Sequence, residues 1–180
     1  MDAMAVINGG VMRLQTGEKI TISRWDLIIA HPPCTYLSNV ATGSHSINKV
    51  PVNWINARTE QRIDAMRFFM RFINADCDRI AVENPIGVMN TAYRKPDEII
   101  HPWMFAEDEN ERVTKATCLW LKGLPCLVWN HNNAPPEKGR LGQYPSGKNK
   151  TWEELVNKNR ATIRSKTFLG IAKAMAEQWG

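Results

Sequence analysis

The chain has 180 residues, 43% of them hydrophobic and 23% charged, with a formal net charge of +5. That length suits one domain with its own core, and that composition lies in the globular range, so a folded chain rather than a disordered one is expected. No apolar run approaches the roughly 20 residues a membrane helix needs, and the N-terminus lacks the basic and apolar regions of a signal peptide, so a cytoplasmic protein without a membrane partner is expected. The four cysteines, Cys34, Cys77, Cys118 and Cys126, form no Cys-x-x-Cys pair, and the four histidines sit singly. Free thiols and no metal are the expectation.

In chain order, residues 2–8 read as the tail of a helix stopped by Gly9-Gly10. Residues 12–22 read as a hairpin turning at Thr16-Gly17-Glu18-Lys19, so residues 1–24 form an atypical N-terminal hairpin within a single domain spanning 1–180. The organising stretch is Trp25 to Ser38. Leu27-Ile28-Ile29-Ala30 has the composition of a strand buried on both faces. Pro32-Pro33 then removes two backbone donors and ends that strand in a stiff loop. The loop presents Cys34, Thr35, Tyr36 and Ser38, and loops at the carboxyl ends of strands are where open α/β sheets place their sites.

A polar stretch from residue 39 to 56 reads as a lid or substrate loop. Residues 57–74 are predicted to be a helix capped by Asn56, with Ile63, Met66, Met70 and Ile73 as its core stripe. Residues 79–83 follow as a second strand, ending in Glu83-Asn84-Pro85-Ile86-Gly87. Strand, loop, helix and strand predict a βαβ unit with a parallel pair, which brings the Cys34 and Glu83 loops to one sheet edge. Further on, residues 98–101 suggest a short edge strand and Lys115–Leu121 a buried one, with 127–129 as its possible partner. Residues 130–150 read as an extended basic loop, 152–159 as a short helix, and Thr167–Trp179 as a final amphipathic helix.

From Lys138 to Lys173 nine basic residues face only Glu153 and Glu154. Such an excess points to nucleic acid or nucleotide phosphate as partner, or equally to a solvated basic face.

His31-Pro32-Pro33-Cys34-Thr35-Tyr36-Leu37-Ser38 resembles the Pro-Cys loop of DNA cytosine-5 methyltransferases, usually Gly-Pro-Pro-Cys-Gln-x-x-Ser. Glu83-Asn84-Pro85-Ile86-Gly87 looks like their Glu-Asn-Val motif. Arg112-Val113-Thr114-Lys115 is a weaker echo of a Gln-x-Arg-x-Arg segment, and Gly170 to Ala176 resembles the family's closing helix. The run from Trp25 to Gly180 is similar as a whole to small phage methylase-like proteins.

The resemblance implies an α/β fold, a truncated Rossmann-like, mostly parallel sheet with flanking helices. It implies that Cys34, as thiolate, adds to carbon 6 of cytosine and that Glu83 holds ring nitrogen 3, with S-adenosylmethionine as methyl donor. His31, Pro33, Thr35, Ser38, Asn84 and Pro85 would line the substrate site, and Arg112 and Lys115 would hold base or phosphate. In duplex DNA the base would be flipped out.

The departures are specific. The family's N-terminal strand, its Phe-x-Gly-x-Gly cofactor loop and its large target-recognition domain have no counterpart here. His31 stands for the usual Gly and Thr35 for the usual Gln. Three functions follow. One is a cytosine-5 methyltransferase whose cofactor half comes from a complementing chain. Another is a non-catalytic, methyltransferase-derived binder of a nucleotide or nucleic acid. The last is a structural or protein-binding module. A truncated sheet would expose an edge, which favours a homodimer.

Overall fold

The structure, a computed structural model, describes residues 3–39, 51–137, 145–147 and 168–180. Its strands are β1 (Gly10–Arg13), β2 (Lys19–Ile22), β3 (Ile28–Ala30), β4 (Ile80–Pro85), β5 (Glu98–Ile100) and β6 (Thr117–Lys122). Its helices are α1 (Val52–Ile73), α2 (Met89–Ala92), α3 (Pro102–Phe105) and α4 (Leu169–Trp179). The basic run from Lys138 to Lys166, the predicted helix over 152–159 and most of the predicted loop over 39–56 lie outside the described residues. Contacts group the chain into two compact units, Met1–Glu98 with Cys118–Pro125 and Ile99–Thr117 with Cys126–Gly180.

The expected mostly parallel, Rossmann-like sheet is not what forms. The fold is mixed α/β with two sheets: an antiparallel pair, β1-β2, and a four-stranded mixed sheet in the order β3-β4-β6-β5 whose single parallel pair is β3-β4. Only β3 and β4 are joined as a strand–helix–strand unit, by the long α1 crossover, and they run parallel. β6 pairs with β4 although β5 lies between them in the chain, so the rest of the sheet forms by long-range pairing whose direction no crossover of this kind sets.

The burial of the strands follows their place in the sheet. β4 is interior, with Ile80, Ala81 and Val82 at 1% exposure or less. β3 lies at the edge, so Ile29 stays exposed and the expectation of a strand buried on both faces is corrected. The residues before β3 form a short 3-10 turn at Ala3–Ala5 rather than a helix over 2–8. Trp25 Nε1 donates to Val6 O at 2.7 Å and ties that turn down.

α1 starts five residues before the predicted boundary, with Pro51 rather than Asn56 at its N-cap. Proline's fixed φ suits a helix start, which is why the boundary moves there. The helix packs through Phe69, fully buried and edge-on to Trp120 with ring centroids 5.1 Å apart. Of the predicted core stripe, Ile63 is exposed and Met66 and Met70 are half-buried. These three, with Met4, Ile7, Asn8, Arg67, Arg71 and Asn74, instead line an open groove of about 620 Å³.

One electrostatic clamp holds the far side of this unit. Asp97 Oδ2 accepts from Arg94 Nη2 and from Leu121 N, both at 2.7 Å, while Trp120 Nε1 donates to Arg94 O at 2.9 Å. Burial alone would raise the Asp97 carboxyl, but the Arg94 hydrogen bond, the Leu121 N–H and the Arg94 charge together hold it below the usual carboxylate range. A depressed folded-state value stabilises the fold above the unfolded carboxyl's value, near pH 4, and that stabilisation fades as acid titrates the group below it. Asp97→Asn is therefore expected to destabilise by about 1 kcal/mol at pH 7, allowing for solvent screening of a partly exposed pair, and by less near pH 3. Urea titrations at the two pH values measure both.

Candidate functional site

The site is built where β3 and β4 end. Their register pairs Ala30 with Val82, so the next residues, His31 and Glu83, lie side by side where the β3-β4 pairing ends. His31 Nδ1 lies 3.0 Å from Glu83 Oε2, with the Glu83 side chain 20% exposed and the imidazole 51%. One residue on, Asn84 is buried and its Nδ2 donates to Pro32 O at 2.8 Å. The Asn84 Oδ1 is buried with no hydrogen-bond partner among the described residues. The two motifs are thus joined at successive positions, His31 to Glu83 and Pro32 to Asn84.

The loops then fold back on one another. Ser38 forms an antiparallel bridge with Gly87, Val88 N donates to Leu37 O at 2.8 Å, and Asn39 N donates to Ile86 O at 3.2 Å. Gly87 permits this approach, because a Cβ there would sit 1.9 Å from Leu37 O. Leu37 and Ser38 both donate from their backbone N–H to Cys34 O at 3.0 Å, closing a turn that begins at Cys34. Pro33, Cys34 and Thr35 are exposed on this turn, Ser38 and Pro85 are half-buried, and Leu37 is buried beneath. The exposed Cys34 thiol thus sits on a loop pinned at both ends.

Two arginines of α1 hold this loop. Arg58 lies over the Tyr36 ring at 5.0 Å and over the Trp54 ring at 4.7 Å. Arg62 Nε donates to Tyr36 O at 3.1 Å. Burial, and then the neighbouring Arg58 charge, push the Arg62 guanidinium below its usual range. The Arg58 Nε is buried with no hydrogen-bond partner among the described residues. Two cations one helical turn apart repel unless an anion lies between or near them. The available signal was Arg58-x-x-x-Arg62 at the start of the helix after the Pro-Cys loop.

The other thiols of this unit are poor candidates. Cys77 is buried, its Sγ 3.1 Å from Arg79 O. Burial pushes the Cys118 thiol up, the Asn90 amide partly offsets that, and the Glu83 charge adds to it. Among the described residues, no three His, Cys, Asp or Glu side chains group to hold a metal ion. No helix of the described residues is long and apolar enough to cross a membrane.

Arg112 and Lys115 belong to the second unit. Arg112 pairs with Glu109 and reaches Ala134 O at 3.4 Å, and Lys115 Nζ lies 5.5 Å over the Phe168 ring. Those contacts give both side chains structural work within that unit. Trp103 stands there in an aromatic cluster, stacked on His101 and edge-on to Trp129 at 5.5 Å.

No family model matches the chain, and neither a curated protein nor a solved structure does.

The S-adenosylmethionine implied by the resemblance can be tested against the residues before β3. They form an antiparallel hairpin, and Gly9, with φ +91°, abuts the end of β2, where a Cβ would meet Ser23 O at 2.5 Å. Gly9-Gly10 therefore serves hairpin packing, not a phosphate- or adenosine-cradling loop. The residues before β3 do not fit that cofactor's binding loop, and no methyl-transfer step is derived through it.

Proposed function

We propose that the chain binds a pyrimidine nucleotide unit, free or within nucleic acid, at the β3-β4 edge. In this reading Glu83 holds the hydrogen-bonding edge of the ring, the exposed Cys34 thiol lies against its carbon 5–carbon 6 side, and Arg58 and Arg62 attract the phosphate. The observation that carries the reading is the double junction of the two loops, His31 to Glu83 and Asn84 to Pro32, on adjacent register positions. It fixes an exposed thiol and a carboxylate on one rigid edge, and preorganisation of that kind lowers the entropy lost on binding. Arg58, whose guanidinium lies over two aromatic rings and whose Nε has no partner among the described residues, supplies a cation of the sort that recognises phosphate or stacks on a base.

What Cys34 can do follows from the ring chemistry. A thiolate adds to carbon 6, the ring π electrons move onto carbon 5 and the exocyclic oxygen or nitrogen, and expulsion of the thiolate restores the ring. Nothing is consumed, so the contact can serve binding alone.

Calorimetric titration with single-stranded oligonucleotides of one pyrimidine tests the reading. Saturable binding is expected in the intact chain and within a few-fold in Cys34→Ser. Arg58→Ala is expected to weaken it roughly 10-fold or more, the loss of one charge-assisted phosphate contact. A flat titration of the intact chain contradicts it.

A further inference from the structure

We propose that the groove along the second half of α1 takes an acidic amphipathic helix of a partner protein. The groove lies wholly within the first unit and shares no residue with the β3-β4 edge, so the proposal stands apart from the pyrimidine reading.

One wall is a single stripe of α1. Ile63, Met66, Arg67, Met70, Arg71 and Asn74 line it, at offsets of 3, 4, 7, 8 and 11 residues from Ile63. That spacing is one helix face followed for three turns, about 16 Å at the α-helical rise. Met4 and Ile7 of the N-terminal turn form the opposite wall, with Asn8 beside them. Two long-range bonds hold that wall: Trp25 Nε1 donates to Val6 O at 2.7 Å, and Asp76 N donates to Asn8 Oδ1 at 2.9 Å. The trough is therefore preformed, which lowers the entropy lost on docking.

Its floor is apolar and its margin is basic. Ile63 is 42% exposed and Met66 and Met70 are half-buried, although the periodicity of α1 marks all three as a core face. Methionine adapts its shape to a partner's side chains. Arg67 and Arg71 follow one turn apart, and none of the nine lining residues is acidic. Like charges at that spacing repel, and carboxylates from a partner relieve the repulsion. Asp64 meets Arg67 Nη1 at 3.2 Å, but both side chains are exposed and such a pair exchanges readily.

The geometry selects a helix among apolar partners. An added strand needs a free sheet edge, whereas along this stretch the backbone groups of α1 are bonded within the helix. A bilayer presses on protruding apolar residues, whereas these line a concavity of about 620 Å³. An apolar stripe repeating at three and four residues, with carboxylates along its margin, complements both the floor and the two guanidinium groups.

Fluorescence anisotropy with the full chain and three synthetic peptides of about 18 residues tests this. The first carries leucines repeating at three and four residues, flanked by glutamates. The second has lysine for every glutamate, and the third is a scramble of the first. Saturable binding of the first is expected, roughly 10-fold or more tighter than of the other two. Arg71→Glu should narrow the acidic-to-lysine ratio to about three-fold or less, and Ile63→Asp should weaken the acidic peptide roughly 10-fold. Both positions are exposed, so both variants should melt like the parent. No saturable binding of the acidic peptide, or binding indifferent to charge, overturns the proposal. So does a dimer in sedimentation that Ile63→Asp dissociates, which makes a second copy the occupant. Co-sedimentation with phosphatidylglycerol vesicles that Ile63→Asp abolishes overturns it too, in favour of a membrane.

Discussion

Gly87→Ala is expected to separate the two loops that make the site, lowering stability by about 2–4 kcal/mol and reducing nucleotide binding with it. The added Cβ would lie 1.9 Å from Leu37 O, 2.8 Å from Leu37 C and 2.9 Å from Ser38 Cα. All three are backbone atoms, so no side chain can swing away to make room. The Ser38–Gly87 bridge and the Val88 N to Leu37 O bond must break or stretch, and the buried Leu37 must lift. Gly17→Ala is the control: a Cβ there meets nothing within 4 Å, so only its φ of +90° resists, at about 1 kcal/mol. Urea denaturation of both variants reads the difference. A change at Gly87 no larger than at Gly17 would mean that the loop junction is not rigid.

Glu111→Ala is expected to destabilise the second unit by about 2–4 kcal/mol, and Glu111→Gln by roughly half as much. α4 begins at Leu169 without a side-chain cap from Phe168 and with no acidic residue in its first turn. Its open N–H groups are satisfied from far along the chain instead. Glu111, buried at 7% exposure, accepts from Leu169 N at 2.6 Å through Oε1 and from Gly170 N at 2.9 Å through Oε2. A carboxylate at a helix N-terminus gains from the macrodipole as well as from the two bonds. Glutamine keeps one acceptor and loses the charge, hence the intermediate value. By contrast the exposed ion pair between Lys173 of this helix and Glu107 is screened by solvent, and Lys173→Ala should change stability far less. Thermal melts of Glu111→Ala, Glu111→Gln and Lys173→Ala rank them, and a Glu111→Ala melt like the parent's would remove the capping role.

The convergence of the Cys34 and Glu83 loops is legible in the sequence because it needs only a local rule. Two strands joined by a long helix run parallel, and their carboxyl ends share an edge. The rest of the sheet is not legible that way. The places of β5 and β6 depend on long-range pairing, which the hydrophobic pattern does not specify. The mostly parallel sheet implied by the resemblance is not what forms. The stripe on α1 misled for a related reason: periodicity marks an apolar face but not what covers it. Phe69, beside the stripe, found Trp120, and Ile63 found solvent.

Arg58 and Arg62 were missed because their importance lies in a contact with Tyr36, some two dozen residues away, that no spacing encodes. Glu111 was missed likewise, since a cap ordinarily sits within a few residues of its helix. His31 and Asn84, in contrast, were named from their motifs, and the structure joins them to Glu83 and Pro32 respectively.

The measurement that bears most directly on a pyrimidine ring held against Cys34 is the rate of thiol alkylation, followed by peptide mapping, with and without dUMP. Cys34 and Cys126 are exposed whereas Cys77 and Cys118 are buried, so only the first two should react readily, and Cys126, in the other unit, serves as internal control. At saturating dUMP the rate at Cys34 is expected to fall at least several-fold while that at Cys126 is unchanged. An unchanged rate at Cys34 with the nucleotide demonstrably bound would contradict the assignment of this edge as the base site.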